Sequence, residues 1–277
     1  MKRLIVTADD FGASVAVNEA VEHAHRHGIL TAASLMIAGD AAADAVARAK
    51  TMPSLGVGLH LVLVEGWPVL EASHVPNLVD ATGRFRGNMV ATAIDIAFRP
   101  SVRRQIYAEI EAQFAAFAAT GLALDHVNAH KHFHVHPVIA SAILAAGRRH
   151  GMRAIRAPVE PRRILSTVER VAGPDIASPW ARLARGRFRR AGLTAPDQVF
   201  GLAWSGHMTI DRVCGLLDRL PDGLTELYSH PATSAYPGSA PDYDYSGELA
   251  ALTDERAVAG IARNHIVTGT FADFARQ

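Results

Sequence analysis

Short apolar runs alternate with amphipathic stretches along most of the chain. A short apolar run flanked by polar residues predicts a buried strand, and apolar residues recurring every three or four positions predict a helix. The predicted strands cover residues 4–8, 31–37, 55–64, 123–128, 154–156, 200–204, 225–228 and 266–268. The predicted helices cover residues 15–27, 41–50, 101–120, 137–150, 210–220 and 249–264. This alternation indicates parallel strands with crossover helices, hence an α/β barrel or a doubly wound sheet.

Two stretches interrupt this alternation. Residues 66–89 are rich in Pro, Gly, Asn and Asp, which predicts a long functional loop. Residues 161–196 are rich in arginine but also carry Trp180, Leu183 and Phe188. We interpret this second stretch as an insertion, either a lid or a surface-binding element, on one domain that spans residues 1–277.

Composition narrows the class of protein. A chain of 277 residues with 49% hydrophobic residues can build a substantial core. The net charge of +1 gives no overall attraction to nucleic acid. The one cysteine, Cys214, excludes an internal disulfide and a cysteine-rich zinc module. The apolar run after Arg3 is shorter than the ~7–15 residues of a signal peptide, and no stretch reaches the ~18–20 of a membrane span. We therefore expect a soluble, cytoplasmic protein.

Histidines are concentrated in one segment. Five of the fourteen lie at alternate positions between residues 126 and 136, with Asn128 taking the remaining place in the series. Extended chain sends alternate side chains to one face, and neutral imidazole is the commonest metal ligand in proteins. We predict a strand end that aims a row of imidazoles at one place, rather than a solvated histidine-rich loop.

Other ligand-type residues also follow predicted strands. Asp9 and Asp10 end the first strand, His60 lies late in the third, and His230 follows the strand at 225–228. In parallel α/β folds the carboxyl ends of strands gather at the ligand site. One carboxylate with two imidazoles suits a divalent ion that keeps open positions for water and substrate. The adjacent aspartates therefore suggest one ligand and one general base, although a helix N-cap pair is the alternative.

Four segments resemble, in order, the motifs of the YdjC-like carbohydrate deacetylase family. They are residues 7–12 (TADDFG), 58–61 (GLHL), the histidine row and residues 226–231 (ELYSHP). The resemblance implies an irregular (β/α) TIM-like barrel of the glycoside hydrolase/deacetylase type. The activity it implies is the metal-dependent hydrolysis of an N-acetyl group from an amino sugar.

Residue roles follow from the same resemblance. Asp10, His60 and His130 match the metal ligands, and Asp9 matches the catalytic base. We take His230 as the first candidate for the general acid. Four further residues are expected to bind substrate or to support the ligands, with His132 and His134 as alternative acids: His132, His134, Arg156 and Glu226. Imidazole ligands favour Zn²⁺ and the resemblance suggests Mg²⁺, so the ion is left open.

Two positions depart from the usual pattern of the family. Chitooligosaccharide deacetylases usually carry Asp where Asn128 stands and His where Lys131 stands. The variant resembles a branch associated with hopanoid biosynthesis, which implies N-acetylglucosamine attached to a hopanoid lipid. A chitooligosaccharide deacetylase and a non-catalytic barrel that binds metal or glycolipid remain the alternatives.

The arginine-rich stretch is consistent with a lipid-linked substrate. Basic side chains attract anionic headgroups, and Trp180 and Phe188 would enter the membrane interface. We therefore expect peripheral contact with the inner face of a membrane. A solvated basic surface and a homodimer contact remain the alternatives for this stretch.

Overall fold

The computed structural model describes residues 1–171 and 178–275. The strands are β1 (Lys2–Phe11), β2 (Ala32–Leu35), β3 (Gly56–Leu61), β4 (Val127–Ala129), β5 (Gln198–Phe200), β6 (Gly223–Ser229) and β7 (Val267–Thr268). The helices are α1 (Val15–His27), α2 (Ala42–Ala49), α3 (Met89–Phe98), α4 (Pro100–Ala119), α5 (Pro137–Arg149), α6 (Arg162–Val168), α7 (Ser178–Arg190), α8 (Ile210–Asp218), α9 (Tyr245–Thr253), α10 (Glu255–Arg263) and α11 (Phe271–Phe274). Two 3₁₀ segments, Ala72–His74 and His130–Val135, complete the described elements.

The strands form one parallel sheet that curves into a half-barrel. Its order is β4-β3-β2-β1-β6-β5, and β7 pairs with the beginning of β1. Beside β4, Val127 and Ile155 form one isolated parallel bridge, and Ala154 and Thr194 form another. No regular strand among the described residues joins β4 to β5. The prediction of a parallel α/β fold is confirmed, but the described sheet is not a closed barrel. Pro158 and Pro161 have no backbone N–H to donate to a neighbouring strand, so the segment after Arg156 cannot continue as a regular hydrogen-bonded strand.

The sheet is covered on both faces, as its continuous apolar strands require. Leu4 and Val6 point into the main core, whereas Ile5 points to the opposite face and packs with Phe271. Ser14 caps α1 by accepting a hydrogen bond from the backbone N–H of Val17. Because Ser14 supplies this cap, Asp9 and Asp10 are left for another role.

The histidine row is not the extended strand that its alternation predicts. Strand β4 ends at Ala129, and the next six residues form tight 3₁₀ turns. Lys131 and His132 have left-handed backbone angles, with φ of 52° and 54°. Pro137 then begins α5, with His136 as its N-cap. The prediction of one row of imidazoles is therefore wrong beyond Ala129, because the chain must turn from strand to helix within the row.

Two helical predictions also need correction. Helix α3 lies at the end of the predicted loop 66–89 and beyond it, where we predicted no helix. Its apolar side chains lie both in the core (Ile96) and at the surface (Val90, Ile94), so no amphipathic period marks it. The predicted helix 249–264 is two helices, separated at Asp254, which caps the second.

The arginine-rich stretch contains α6 and α7, and residues 172–177 within it, including Asp175, lie outside the described residues. Phe188 is fully buried and cannot contact a membrane, so the expectation that it enters the membrane interface is wrong. Arg187 and Arg189 donate hydrogen bonds to the backbone carbonyls of Pro137 and Ala195. Among the described helices, none combines the length and apolar character needed to cross a bilayer.

Candidate active site

Three potential metal ligands converge at the carboxyl edge of the sheet. Asp10 stands near the end of β1, His60 lies in β3, and His130 directly follows β4. One ligand atom from each lies within 4.8 Å of the other two. Asp10 Oδ1 is 3.3 Å from His60 Nε2 and 3.4 Å from His130 Nδ1. Ligands of a tetrahedral ion with ~2.1 Å bonds lie about 3.4 Å apart, so these spacings fit one cation.

The chemistry of the three side chains also fits a cation. Asp10 Oδ1 and His60 Nε2 are buried and have no hydrogen-bond partner among the described residues, which is rare in folded proteins. Burial raises the pKa of Asp10, but His130 and His60 more than offset this and hold it well below its ordinary value. The carboxylate is therefore ionised. Asp10 also adopts a left-handed backbone, with φ of 63°, as strained residues at functional sites often do.

Asp9 has a different environment from its neighbour. Arg156 donates to both of its carboxylate oxygens, at 2.5 Å to Oδ2 and 2.9 Å to Oδ1. Asn128 donates a third hydrogen bond, at 3.0 Å to Oδ1. Burial raises the pKa of Asp9, but Arg156 and then His60 outweigh it and hold the pKa far below its usual range. Asp9 is thus an ionised, oriented carboxylate that also lines the cavity beside Asp10.

Arg156 and Glu226 support Asp9 from behind. The Arg156 guanidinium donates to Glu226 Oε1 at 2.9 Å and 2.7 Å and lies 4.3 Å from the centre of the Tyr228 ring. Both side chains are fully buried. The structure thus places Arg156 in a buried ion pair with Asp9 and Glu226, outside the lining of the cavity.

The remaining histidines separate into two groups. His132 and His230 line the cavity. The Nδ1 atom of each is buried and has no hydrogen-bond partner in the described structure. His132 Nε2 lies 2.9 Å from the Tyr228 hydroxyl. Burial, followed by Arg156, lowers the pKa of His132 well below its ordinary value. The geometry therefore leaves His132 and His230 as the two candidates for the general acid.

His134 lies outside the cavity lining, fully buried beneath it. Its Nε2–H donates to the Arg156 carbonyl at 3.1 Å, since a carbonyl can only accept. Burial lowers the pKa of His134 to about 3, so the ring is neutral. This places His134 behind Arg156 as a supporting residue.

The cavity has a volume of about 580 Å³, and two further openings adjoin it. On one side is a cleft that contains Asp40, Trp67 and Arg84, with the Arg84 guanidinium 5.0 Å from the Trp67 ring centre. We call this the polar cleft. On the other side is a groove of about 750 Å³, which we call the apolar groove. Its walls are the exposed side of α3 together with Phe133 and Trp180.

Sequence reasoning missed several residues of the cavity. Tyr228, Tyr236 and Tyr243 line it, and Asn128 joins Asp9 to His60 behind it. Tyr228 lies within the ELYSHP motif, and the tyrosines of residues 236–245 stand in a Pro- and Gly-containing segment. Aromatic residues in such a segment after His230 were the available signal.

Comparisons with known proteins agree with the motifs. The family described as YdjC-like protein matches residues 3–263. A carbohydrate deacetylase of Geobacillus stearothermophilus is 33% identical over 276 residues, covering 98% of this chain and 97% of that protein. A carbohydrate deacetylase of Brevibacillus brevis is 43% identical over 142 residues, which span only 51% of this chain and 54% of that protein.

A crystal structure of an Enterococcus faecalis protein, named for cellobiose-phosphate cleavage, has the same fold. Its TM-score is 0.78 at 22% identity, with 99% of both chains covered. The match to the family over nearly the whole chain and the full-length relative at 33% identity agree on one conclusion. The chain belongs to the YdjC-like family.

Proposed function

We propose that this protein is a metal-dependent deacetylase that hydrolyses the N-acetyl group of an amino sugar. The observation that carries the proposal is the convergence of Asp10, His60 and His130 within 4.8 Å, next to a second carboxylate that is held separately. Binding alone would need no such second carboxylate. Relatives over the full length of the chain are named carbohydrate deacetylases, which supports the same activity.

We assign each step of the reaction to particular residues of the site. Asp10, His60 and His130 would hold the ion, which when bound polarises the acetamide carbonyl and lowers the pKa of water. Asp9 accepts the proton of the attacking water, in the orientation that Arg156 sets. His230, or His132, donates a proton to the departing nitrogen. The amide C–N bond breaks, and water is consumed to give acetate and a free amine.

The test is acetate release from an N-acetylglucosaminide. Chelator-treated protein should be inactive, and one equivalent of Zn²⁺ should restore turnover better than Mg²⁺, because imidazole ligands favour zinc. Full activity after complete metal removal would refute the proposal.

We further propose that the sugar is attached to a lipid, such as a hopanoid. The apolar groove shares Lys131, His132 and Leu202 with the catalytic cavity, so a substrate can occupy both. Its wall exposes unusually large apolar side chains, with Ile94 55%, Phe98 79% and Trp180 56% exposed. Contiguous exposed apolar surface of this kind marks a binding site. The occupant we propose is the apolar aglycone, with its amino sugar in the cavity.

The polar cleft supports a second candidate, the chitooligosaccharide deacetylase. Trp67 and Arg84 offer a flat ring and hydrogen-bond donors that suit a further sugar. Comparing turnover of a long-chain alkyl N-acetylglucosaminide with that of diacetylchitobiose would decide between them.

We also propose that the whole chain is one catalytic unit and that residues 161–196 bring it to the inner face of a membrane. Trp180 and Leu183 are exposed on α7, and Arg182 and Arg190 of the same helix are also exposed. Trp180 also lines the apolar groove, so the same helix would face the lipid and the groove entrance. A homodimer contact through α7 is the alternative outcome, and vesicle sedimentation with sizing of the free protein would distinguish them.

A further inference from the structure

The side-chain amide of Asn128 connects the two halves of the candidate site. Asn128 is fully buried in β4, directly opposite His60 in the neighbouring strand β3. Its Oδ1 lies 2.7 Å from His60 Nδ1. Its Nδ2 donates to Asp9 Oδ1 at 3.0 Å and to Ser34 Oγ at 2.7 Å. One side chain therefore contacts both a candidate metal ligand and the candidate base.

The chemistry of the partners determines which way the amide points. Arg156 can only donate, and it donates to both oxygens of Asp9, so Asp9 is an acceptor and the NH₂ group of Asn128 must face it. The amide oxygen then faces His60 and can only accept. His60 must therefore carry its proton on Nδ1, which leaves the lone pair on Nε2. That Nε2 is the atom 3.3 Å from Asp10 Oδ1 that lacks a hydrogen-bond partner in the described structure.

A buried row of hydrogen bonds holds Asn128 from behind. Because Ser34 accepts from Asn128, its hydroxyl is free to donate to His126 Nε2, which lies 2.9 Å away. His126 Nδ1 then donates to Asp125 Oδ2 at 2.9 Å. Asp125 also accepts two backbone N–H groups at the start of α11. Each hydrogen bond in this row has a defined donor and acceptor. The row therefore fixes the orientation of the Asn128 amide independently of its contacts with His60 and Asp9.

We infer that Asn128 is a positioning residue that sets the tautomer of His60 for metal binding and aims Asp9 at the same time. The inference rests on the proposed metal site. Outer hydrogen bonds to ligating histidines typically contribute 10–100-fold to metal affinity. An aspartate at this position would keep the acceptor for His60 but lose the NH₂ donor that Asn128 offers to Asp9.

The first test measures Zn²⁺ affinity by competition with a chromophoric chelator. Asn128→Leu, which keeps the volume but neither hydrogen bond, should bind Zn²⁺ about 10–100-fold more weakly than the wild type. Asn128→Asp restores the acceptor and should recover most of that affinity. Gln113→Met is the matched control, because it removes another buried amide that contacts neither His60 nor Asp9. It should bind Zn²⁺ as tightly as the wild type.

Wild-type affinity in Asn128→Leu, or affinity in Asn128→Asp as low as in Asn128→Leu, would overturn the inference. A second measurement does not depend on any Asn128 variant folding. Long-range ¹H–¹⁵N correlation spectra of the metal-free wild type at alkaline pH, with the His60 signals identified by their loss in His60→Ala, should show the proton on Nδ1. A proton on Nε2 would overturn the inference. Failure of the wild type to bind Zn²⁺ would instead refute the proposed metal site. The tautomer of His60 could still be measured in that case, because its measurement uses metal-free protein.

Discussion

Asp9 and Asp10 are adjacent in β1, but their side chains lie in environments that differ in hydrogen bonding. Both carboxylate oxygens of Asp9 accept hydrogen bonds, from Arg156 in a buried ion pair and from Asn128 beside it. Around Asp10 the opposite holds, since one carboxylate oxygen and one imidazole nitrogen face each other without a hydrogen bond. A carboxylate that is hydrogen-bonded at both oxygens keeps its orientation without an ion, whereas facing unpaired lone pairs suit a cation. This difference is what the proposed roles require, with Asp9 as the candidate base and Asp10 as a candidate metal ligand.

The largest expected effect comes from changing one residue in each region. Asp9→Asn should lower turnover about 10²–10⁴-fold, the usual contribution of a general base, while Zn²⁺ stays bound. His60→Ala should lose Zn²⁺ and activity together. Acetate release and metal content of both purified variants check this. Near-normal turnover of Asp9→Asn would show that Asp9 is not the base.

The second prediction concerns the stability of the Asp9 region. Arg156→Met leaves Asp9 and Glu226 as unpaired buried charges, and losing one partner of a buried ion pair costs about 3–5 kcal/mol of unfolding free energy. Arg48→Met is the matched control, because Arg48 also joins two carboxylates but at the surface. Its loss should cost at most about 1 kcal/mol. Equal losses in urea denaturation would contradict the distinction.

The third prediction is a pH dependence of stability that arises from His134. Its pKa is lowered to about 3 in the folded protein, below the ordinary 6.5, because burial disfavours the charged ring. The unfolded chain therefore binds one more proton between these values, and stability falls as the pH drops through this window. The slope from this one group approaches about 1.4 kcal/mol per pH unit.

His134→Gln should reduce that slope between about pH 6 and pH 4, within the range that the ordinary histidine pKa sets. Thermal unfolding of both proteins across the window measures the slope. The matched control is His74→Gln, because His74 is exposed. This variant should leave the dependence of stability on pH unchanged. An identical slope in His134→Gln and the wild type would show that His134 does not titrate as its burial implies.

The smallest expected effect concerns the apolar groove and leaves both aspartates untouched. Ile94→Ser removes an apolar side chain of α3 that is 55% exposed and that the aglycone would cover. Full burial of such a side chain contributes about 1.5–3 kcal/mol, so covering half of it contributes about 1 kcal/mol of binding. The KM for a long-chain alkyl N-acetylglucosaminide should therefore rise about fivefold, since 1.4 kcal/mol corresponds to tenfold. Trp67→Ala in the polar cleft should leave that KM unchanged. The reverse pattern would favour the chitooligosaccharide as substrate.

Much of the fold followed from local patterns, because parallel strands buried on both faces leave continuous apolar runs. The gathering of Asp10, His60 and His130 was predictable, since all three stand at strand ends of a parallel sheet. Helix α3 escaped prediction because its apolar residues face both the core and the groove. A sequence period records an amphipathic face, and this helix has none.

The parts of the site that could not be predicted depend on long-range contacts. Asn128 stood in the histidine row as an exception, yet its role depends on Asp9, which is 119 positions away along the chain. The sequence left Arg156 open between binding substrate and supporting the ligands, because its two carboxylate partners lie far away along the chain. The alternation of histidines was misleading because a turn begins at His130, which spacing alone does not reveal.

The most direct test of the central claim is an anomalous diffraction map from crystals grown with one equivalent of Zn²⁺. We expect one strong peak with bonds of about 2.0–2.2 Å to Asp10 Oδ1, His60 Nε2 and His130 Nδ1. Asp9 should remain paired with Arg156 and make no bond to the ion. A peak bonded to Asp9 instead of Asp10, or zinc bound only elsewhere on the protein, would contradict it.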